Sequence, residues 1–241
     1  MGEEGLRDDS REIFRGLASS YDRTLDVATL LQDRRWKSWV LDAVGVESMA
    51  RGRRVLDVGC GTLVLEEDFG ALGADFVGVD LSGEMLAVGR TKSLPRVALA
   101  AGDAEALPFA DGTFDAAVSL YVAKYVKAGR LVCELARVVR PGGAVALYDF
   151  ARPTGPLAPA LWLYVYGGLR AFGSLMGLAG RSEASTFTRL PGIIRRTDWS
   201  AGLEEAMRAS GLLEVRTRRF AGGMVRAYSA TKAGDAQRPS A

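Results

Sequence analysis

Between Arg54 and Tyr148 the chain alternates short apolar runs with stretches of helical period, and few folds accept that pattern. Strands are predicted over 54–58, 76–79, 97–100, 114–119 and 144–148. Between them lie helices over 63–72, from Ser82 to about Arg90, and over 128–139, with Arg140-Pro141-Gly142-Gly143 as the turn into the fifth strand. This alternation argues for an α/β fold with a doubly wound, mostly parallel sheet. A helix over 203–210 then precedes two further strands, Leu213–Phe220 and Met224–Ala230. Gly222-Gly223 joins them as an antiparallel hairpin that closes the sheet edge, for seven strands in all.

In open sheets of this kind, ligands bind beyond the carboxyl ends of the strands, near the point where strand order reverses. The polar candidates fall there. Asp57 lies within the first strand, just before the glycine turn, and Gly59 and Gly61 let backbone approach a ligand where a Cβ would collide. Thr62 opens the next helix and can offer a hydroxyl. Asp80, followed by Leu81, ends the second strand, where a carboxylate can accept both hydroxyls of a ribose. Asp103 and Ala104 follow the third strand, where a carboxylate can accept from an exocyclic amine, and Ser119 ends the fourth. Singly, these are a tight turn, a helix cap and a strand-end hydroxyl. Their occurrence at successive strand ends favours a nucleotide-like ligand.

The stretches Asp57-Val58-Gly59-Cys60-Gly61-Thr62, Val77–Ser82, Gly102–Phe109 and Leu135–Gly143 resemble the successive motifs of class I S-adenosylmethionine-dependent methyltransferases. The resemblance implies a Rossmann-like methyltransferase fold. It also implies that Gly59, Gly61 and Thr62 contact the methionine portion of the cofactor, that Asp80 holds the ribose, and that Asp103 and the Ala104 amide read the adenine. A finer resemblance is to the ubiquinone/menaquinone biosynthesis C-methyltransferases. It rests on Phe14–Asp22, on Asp149-Phe150-Ala151-Arg152-Pro153 with the aromatic apolar segment after it, and on Trp199–Leu212 leading into Ala221–Val225. The implied substrate is a prenylated quinol precursor such as demethylmenaquinol. Tyr21 is then implied to fold over the cofactor as a positioning or proton-relay residue; the alternative is an aromatic that anchors the N-terminal helices.

Three departures from the pattern stand out. Leu63 replaces a third glycine, Ala123-Lys124 replaces an Arg-Asn pair, and Arg226-Ala227-Tyr228 stands where a histidine is expected. Lys124 suits either a phenolate partner or a solvated surface position, while Tyr121 and Tyr125 suit either site lining or packing. The departures keep two other readings open. One is an O- or N-methyltransferase of another small apolar metabolite or lipid headgroup; the other is a non-catalytic protein that retains the fold.

Histidine is absent altogether, which excludes a Ser-His-Asp triad and removes the commonest metal ligand. Cys60 and Cys133 lack ligand spacing, so no metal is expected. A net charge of +2 over 241 residues gives no reason to expect a nucleic-acid partner, and the clusters Arg51–Arg54 and Arg216–Arg219 read as strand ends. Met1–Asp9 is polar and acidic rather than a signal peptide, so a cytoplasmic protein is expected. Pro156–Gly180 is apolar but broken by Gly, Pro and Arg170, and reads as a buried or lipid-facing helical cap with possible peripheral membrane contact. The expected organisation is one domain: an N-terminal helical cap (1–50), a cofactor-binding core (51–150), an apolar substrate-cap insertion (151–200), and a C-terminal helix and hairpin (201–232). Within the first part, Tyr21-Asp22 is placed in the break between two helices. Residues 1–10 and the tail from Ala233 are expected to fray.

Overall fold

The structure, a computed structural model, describes residues 18, 20–46, 52–69, 73–178, 180 and 184–234. The expected fraying over 1–10, most of the Phe14–Asp22 motif before Ser20, Arg51, the helix end at 70–72 and the tail beyond Gly234 lie outside those residues.

The sheet has seven strands: β1 (Arg54–Val58), β2 (Asp75–Asp80), β3 (Val97–Ala101), β4 (Phe114–Leu120), β5 (Val139–Phe150), β6 (Leu212–Phe220) and β7 (Val225–Lys232). They are ordered β3-β2-β1-β4-β5-β7-β6. The first five pair in parallel, and β7 pairs antiparallel with both β5 and β6. The hairpin therefore inserts its second strand into the sheet and leaves β6 at the edge. There Arg216, Arg218 and Arg219 stand exposed, charges that discourage edge-to-edge pairing. Strand order reverses between β1 and β4, which opens a crevice beyond their carboxyl ends.

Helices cover both faces, so the central strands are apolar on each side. Val55, Phe76, Val118 and Tyr148 pack on one face against α1 (Tyr21–Ala28), α2 (Asp33–Ala43) and the apolar segment. Leu56, Val58 and Leu147 face the other way, against α5 (Ala128–Val138) and α9 (Leu203–Ala209). Two short helices, α3 (Val64–Phe69) and α4 (Gly83–Thr91), follow β1 and β2. The Ser82 hydroxyl caps α4 by accepting from the Met85 amide at 3.3 Å.

Two local expectations are corrected. Tyr21 and Asp22 open α1, and the helix break falls later, at Leu30 and Leu31, whose φ angles are 51° and 61°. Arg140–Gly143 is not a turn ahead of β5 but a bulge within it: Phe114 pairs with Val139, while Ala116 pairs with Ala144. Gly143 is required in that bulge, because a Cβ would lie 2.5 Å from the Asp115 carbonyl oxygen.

The apolar segment is helical from Ala158 to Leu178, as α6 (Ala158–Trp162), a π-helical stretch (Leu163–Gly168) and α7 (Leu169–Leu178). It packs on α8 (Ala184–Arg196) where Gly173 brings the two backbones together; a Cβ there would sit 2.8 Å from the Phe187 Cβ. Val165 and Leu169 point into the core, whereas Leu163, Leu175 and Leu178 are 73%, 64% and 88% exposed. Among the described residues no helix is long and apolar enough to cross a membrane.

Candidate active site

A cavity of about 250 Å³ lies at the carboxyl ends of β1, β2 and β4 and beside the loop after β3. Its floor is the turn after β1. Gly59 and Gly61 hold φ angles of 78° and 55°, and the Gly59 amide donates to the Val79 carbonyl at 2.7 Å. A Cβ on Gly59 would meet Val122 Cγ2 at 2.1 Å, whereas the space beside Gly61 is open. Leu63, where a third glycine was expected, adopts the left-handed conformation itself, with φ of 66°. That costs roughly 1–2 kcal/mol. The cost is offset by burial of its side chain with Cys60 and Leu86, in a space that Gly89 leaves free.

Asp80 holds the turn from the neighbouring strand. Its Oδ2 accepts from the Gly61 amide at 2.9 Å and its Oδ1 from the Ser82 amide at 2.7 Å. Burial nonetheless raises its pKa, against the lowering effect of those backbone bonds. Leu81, 49% exposed, forms the lip beside it. Asp103, whose carboxylate accepts from the Glu105 amide at 2.9 Å, and Ala104 form the far wall.

Of the residues singled out in the sequence, Tyr21, Gly59, Gly61, Asp80, Leu81, Asp103 and Ala104 line the cavity. Three others sit beneath it. The Ser119 hydroxyl donates to the Val58 carbonyl at 2.9 Å and ties β4 to β1. The Thr62 hydroxyl donates to Asp22 Oδ1 at 2.6 Å. Asp57 is buried against Glu66 of α3.

Asp22 escaped sequence reasoning, and it matters. Its second oxygen accepts from Lys92 Nζ at 2.8 Å, so one carboxylate fastens α1 to the glycine turn and to the end of α4. This clamp holds Tyr21 over the cavity. Burial, and then the negative charge of Asp33, push the Tyr21 hydroxyl well above its ordinary pKa. It therefore keeps its proton at neutral pH, which suits it to donate a hydrogen bond rather than to take a proton.

The second wall is aromatic, formed by Tyr121 and Tyr125. Lys124 lies behind them rather than in solvent. Its Nζ reaches Asp149 Oδ1 at 2.8 Å and the Tyr121 carbonyl at 2.6 Å, and it sits 4.4 Å from the centre of the Tyr125 ring. Ile193 of α8 packs against Tyr125, with Tyr21 and Val126 alongside, so the apolar cap and the cavity share a boundary.

Asp57 and Glu66 form a carboxyl pair under the turn; Asp57 Oδ1 and both Glu66 oxygens are buried with no hydrogen-bond donor among the described residues. Burial pushes Glu66 up to about 7. Burial, with Glu66 and Asp80 nearby, also raises Asp57 well above its ordinary value. The folded state thus binds a proton more tightly than the unfolded chain, whose glutamates titrate near ~4.3. The resulting stabilisation is complete below about pH 4 and is lost as pH rises to about 7, beyond which the cost of a buried charge remains. Glu66→Gln removes that cost, and should be about 2 kcal/mol more stable than the parent at pH 8, roughly 5 °C in Tm. The advantage should vanish near pH 4–5. Thermal melts across pH 5–8 check this, and a pH-independent difference would show that no proton is shared.

Comparisons with known proteins agree with this geometry. Residues 4–232 match the model of the ubiE/COQ5 methyltransferase family. The demethylmenaquinone methyltransferase of Mycolicibacterium vanbaalenii is 35% identical over 97% of this chain and 100% of its own length. That of Renibacterium salmoninarum is 35% identical over 94% of this chain and 93% of its own. Among solved structures, Haemonchus contortus phosphoethanolamine N-methyltransferase 2, in complex with S-adenosyl-L-methionine, superposes with a TM-score of 0.59 at 17% identity. The superposition covers 83% of this chain and about half, 52%, of that longer one, and it supports the fold alone. The chain belongs to the ubiE/COQ5 methyltransferase family, and its methyl donor is S-adenosylmethionine.

Proposed function

We propose that the enzyme C-methylates a prenylated quinol precursor of the demethylmenaquinol type. The observation that carries this reading is the shape of the cavity. Its one half is a glycine turn flanked by carboxylates, and its other half is a tyrosine wall backed by an apolar helical cap. Relatives that align over 93–100% of their own length carry the name demethylmenaquinone methyltransferase.

The residues fit the donor. The open space at Gly61 suits the methionine portion, and Thr62 and Asp57 support that turn from below. Asp80, on the cavity wall, suits the ribose hydroxyls, and Leu81 suits an apolar ring face. Asp103 and the Ala104 amide suit the adenine edge. When bound, the donor supplies an electrophilic methyl group on a sulfonium. The protein's part is to hold a nucleophilic ring carbon in line with it and to exclude water. Tyr21, with its proton retained, donates to a quinol oxygen and orients the ring; Tyr125 supplies an apolar ring face.

The cap (151–200) also presents Leu163, Leu175 and Leu178 outward, and we place this face against the membrane surface in which a prenylated substrate dissolves. Labelled S-adenosylmethionine, incubated with enzyme and vesicles containing demethylmenaquinol, should give a labelled ring-methylated quinone by mass spectrometry. Label appearing only on hydroxyl or amine groups of other lipids would support O- or N-methylation instead. The enzyme should float with those vesicles, and Leu175→Glu with Leu178→Glu should leave it in the aqueous fraction.

A further inference from the structure

Ring methylation by a sulfonium releases one proton per turnover. The C–CH3 bond forms, the S–CH3 pair stays on sulfur to give a neutral thioether, and the ring C–H pair returns to the ring as the proton departs. That proton must leave a site that has no histidine to take it. The cavity wall has one such route. Tyr121 lines the cavity, and its hydroxyl donates to Asp33 Oδ1 at 2.6 Å. Asp33 Oδ2 meets Lys37 Nζ at 2.5 Å, one helical turn along α2. Lys37 in turn reaches Asp68 of α3 at 3.4 Å, and the Asp68 side chain is 27% exposed. Asp33 and Lys37 are themselves buried, so the chain of groups runs from cavity to solvent through the N-terminal helices.

We propose that Tyr121, Asp33, Lys37 and Asp68 form the proton exit of this enzyme, an inference that rests on the quinol reading above. Tyr121 accepts the substrate proton on its oxygen while passing its own to Asp33. Asp33 returns a proton to Lys37 as Lys37 gives one to Asp68, and Asp68 releases it to water. No group changes its net protonation over the cycle. A second tyrosine makes the idea testable: the Tyr148 hydroxyl donates to the same Asp33 oxygen at 2.8 Å, yet Tyr148 lies in the core and has no place in the cavity wall.

Tyr121→Phe and Tyr148→Phe therefore each remove one hydrogen bond from the same carboxylate, and differ in whether a route to the cavity is cut. With labelled S-adenosylmethionine and demethylmenaquinol vesicles, Tyr121→Phe should lower kcat on the order of 10–100-fold with KM for the donor little changed. Tyr148→Phe should stay within about twofold of the parent kcat. Melting temperatures should fall alike in both. The parent should show a solvent deuterium isotope effect on single-turnover transfer. Equal kcat losses in the two variants would make Asp33 a structural anchor and overturn the proposal. Parent enzyme that is folded and binds the donor, yet is inactive on the quinol, would defeat the substrate reading and the exit route with it.

Discussion

Asp80→Ala is expected to weaken S-adenosylmethionine binding by on the order of 100-fold, with the protein still folded. A carboxylate that accepts two ribose hydroxyls makes two charge-assisted hydrogen bonds, each contributing about 1.5–3 kcal/mol. Loss of about 3 kcal/mol is roughly 100-fold in Kd. The same oxygens receive the Gly61 and Ser82 amides, so alanine also leaves two backbone donors without their acceptor and loosens the glycine turn. Asp80→Asn separates the two effects. It keeps one carbonyl oxygen for the backbone but offers an amide to the ribose, and should fall between parent and alanine in affinity while melting close to the parent. Titration calorimetry at a temperature where both variants are folded measures this. Affinity unchanged in Asp80→Ala would move the ribose to another carboxylate, Asp103 being the next on the cavity wall.

The alternating strands and helices were legible in the sequence because parallel strands covered on both faces must be almost wholly apolar, and their ends must carry whatever polar chemistry the fold has. That rule brought Asp80, Leu81, Asp103 and Ala104 to one cavity from two strand ends. It could not say which way each side chain turns. Asp57 shares a strand face with Val55, whose neighbours are the N-terminal helices, so its carboxyl falls toward Glu66 rather than into the cavity. The remaining misses are long-range compensations. Leu63 is tolerated in a left-handed turn because Gly89, far along the chain, makes room for it. Lys124 looked like a surface residue because its partner, Asp149, lies on the next strand. The helix break at Leu30 and Leu31 has no local signal, since leucine disfavours positive φ.

Lys124→Met should destabilise the fold by about 3–5 kcal/mol at pH 8, because it leaves a buried carboxylate without its counter-charge. Asp149 is wholly enclosed, and its Oδ1 would retain only the Phe150 amide at 2.6 Å, its Oδ2 only the Lys124 amide at 2.9 Å. Burial already raises the Asp149 pKa and lowers that of Lys124, each held in check by the other's charge. Without the ammonium, the Asp149 value rises further above its unfolded value. The variant's relative stability is then best below the unfolded value near ~3.9 and worsens as pH climbs through the raised folded value. The deficit against the parent should therefore narrow in moderate acid, opposite to ordinary acid denaturation. Lys124→Met combined with Asp149→Asn, which removes the stranded charge, should recover at least half of the loss. The effect should also reach the cavity, because Lys124 Nζ holds the Tyr121 carbonyl at 2.6 Å, and Tyr121 takes a left-handed φ of 64°. With that tie cut, the wall from Tyr121 to Val126 loosens, and donor affinity should fall along with stability. Denaturant melts of the single and double variants at pH 6 and pH 8 decide the matter: a loss under about 1 kcal/mol at pH 8, or no recovery in the double variant, would mean that Asp149 is already protonated in the parent.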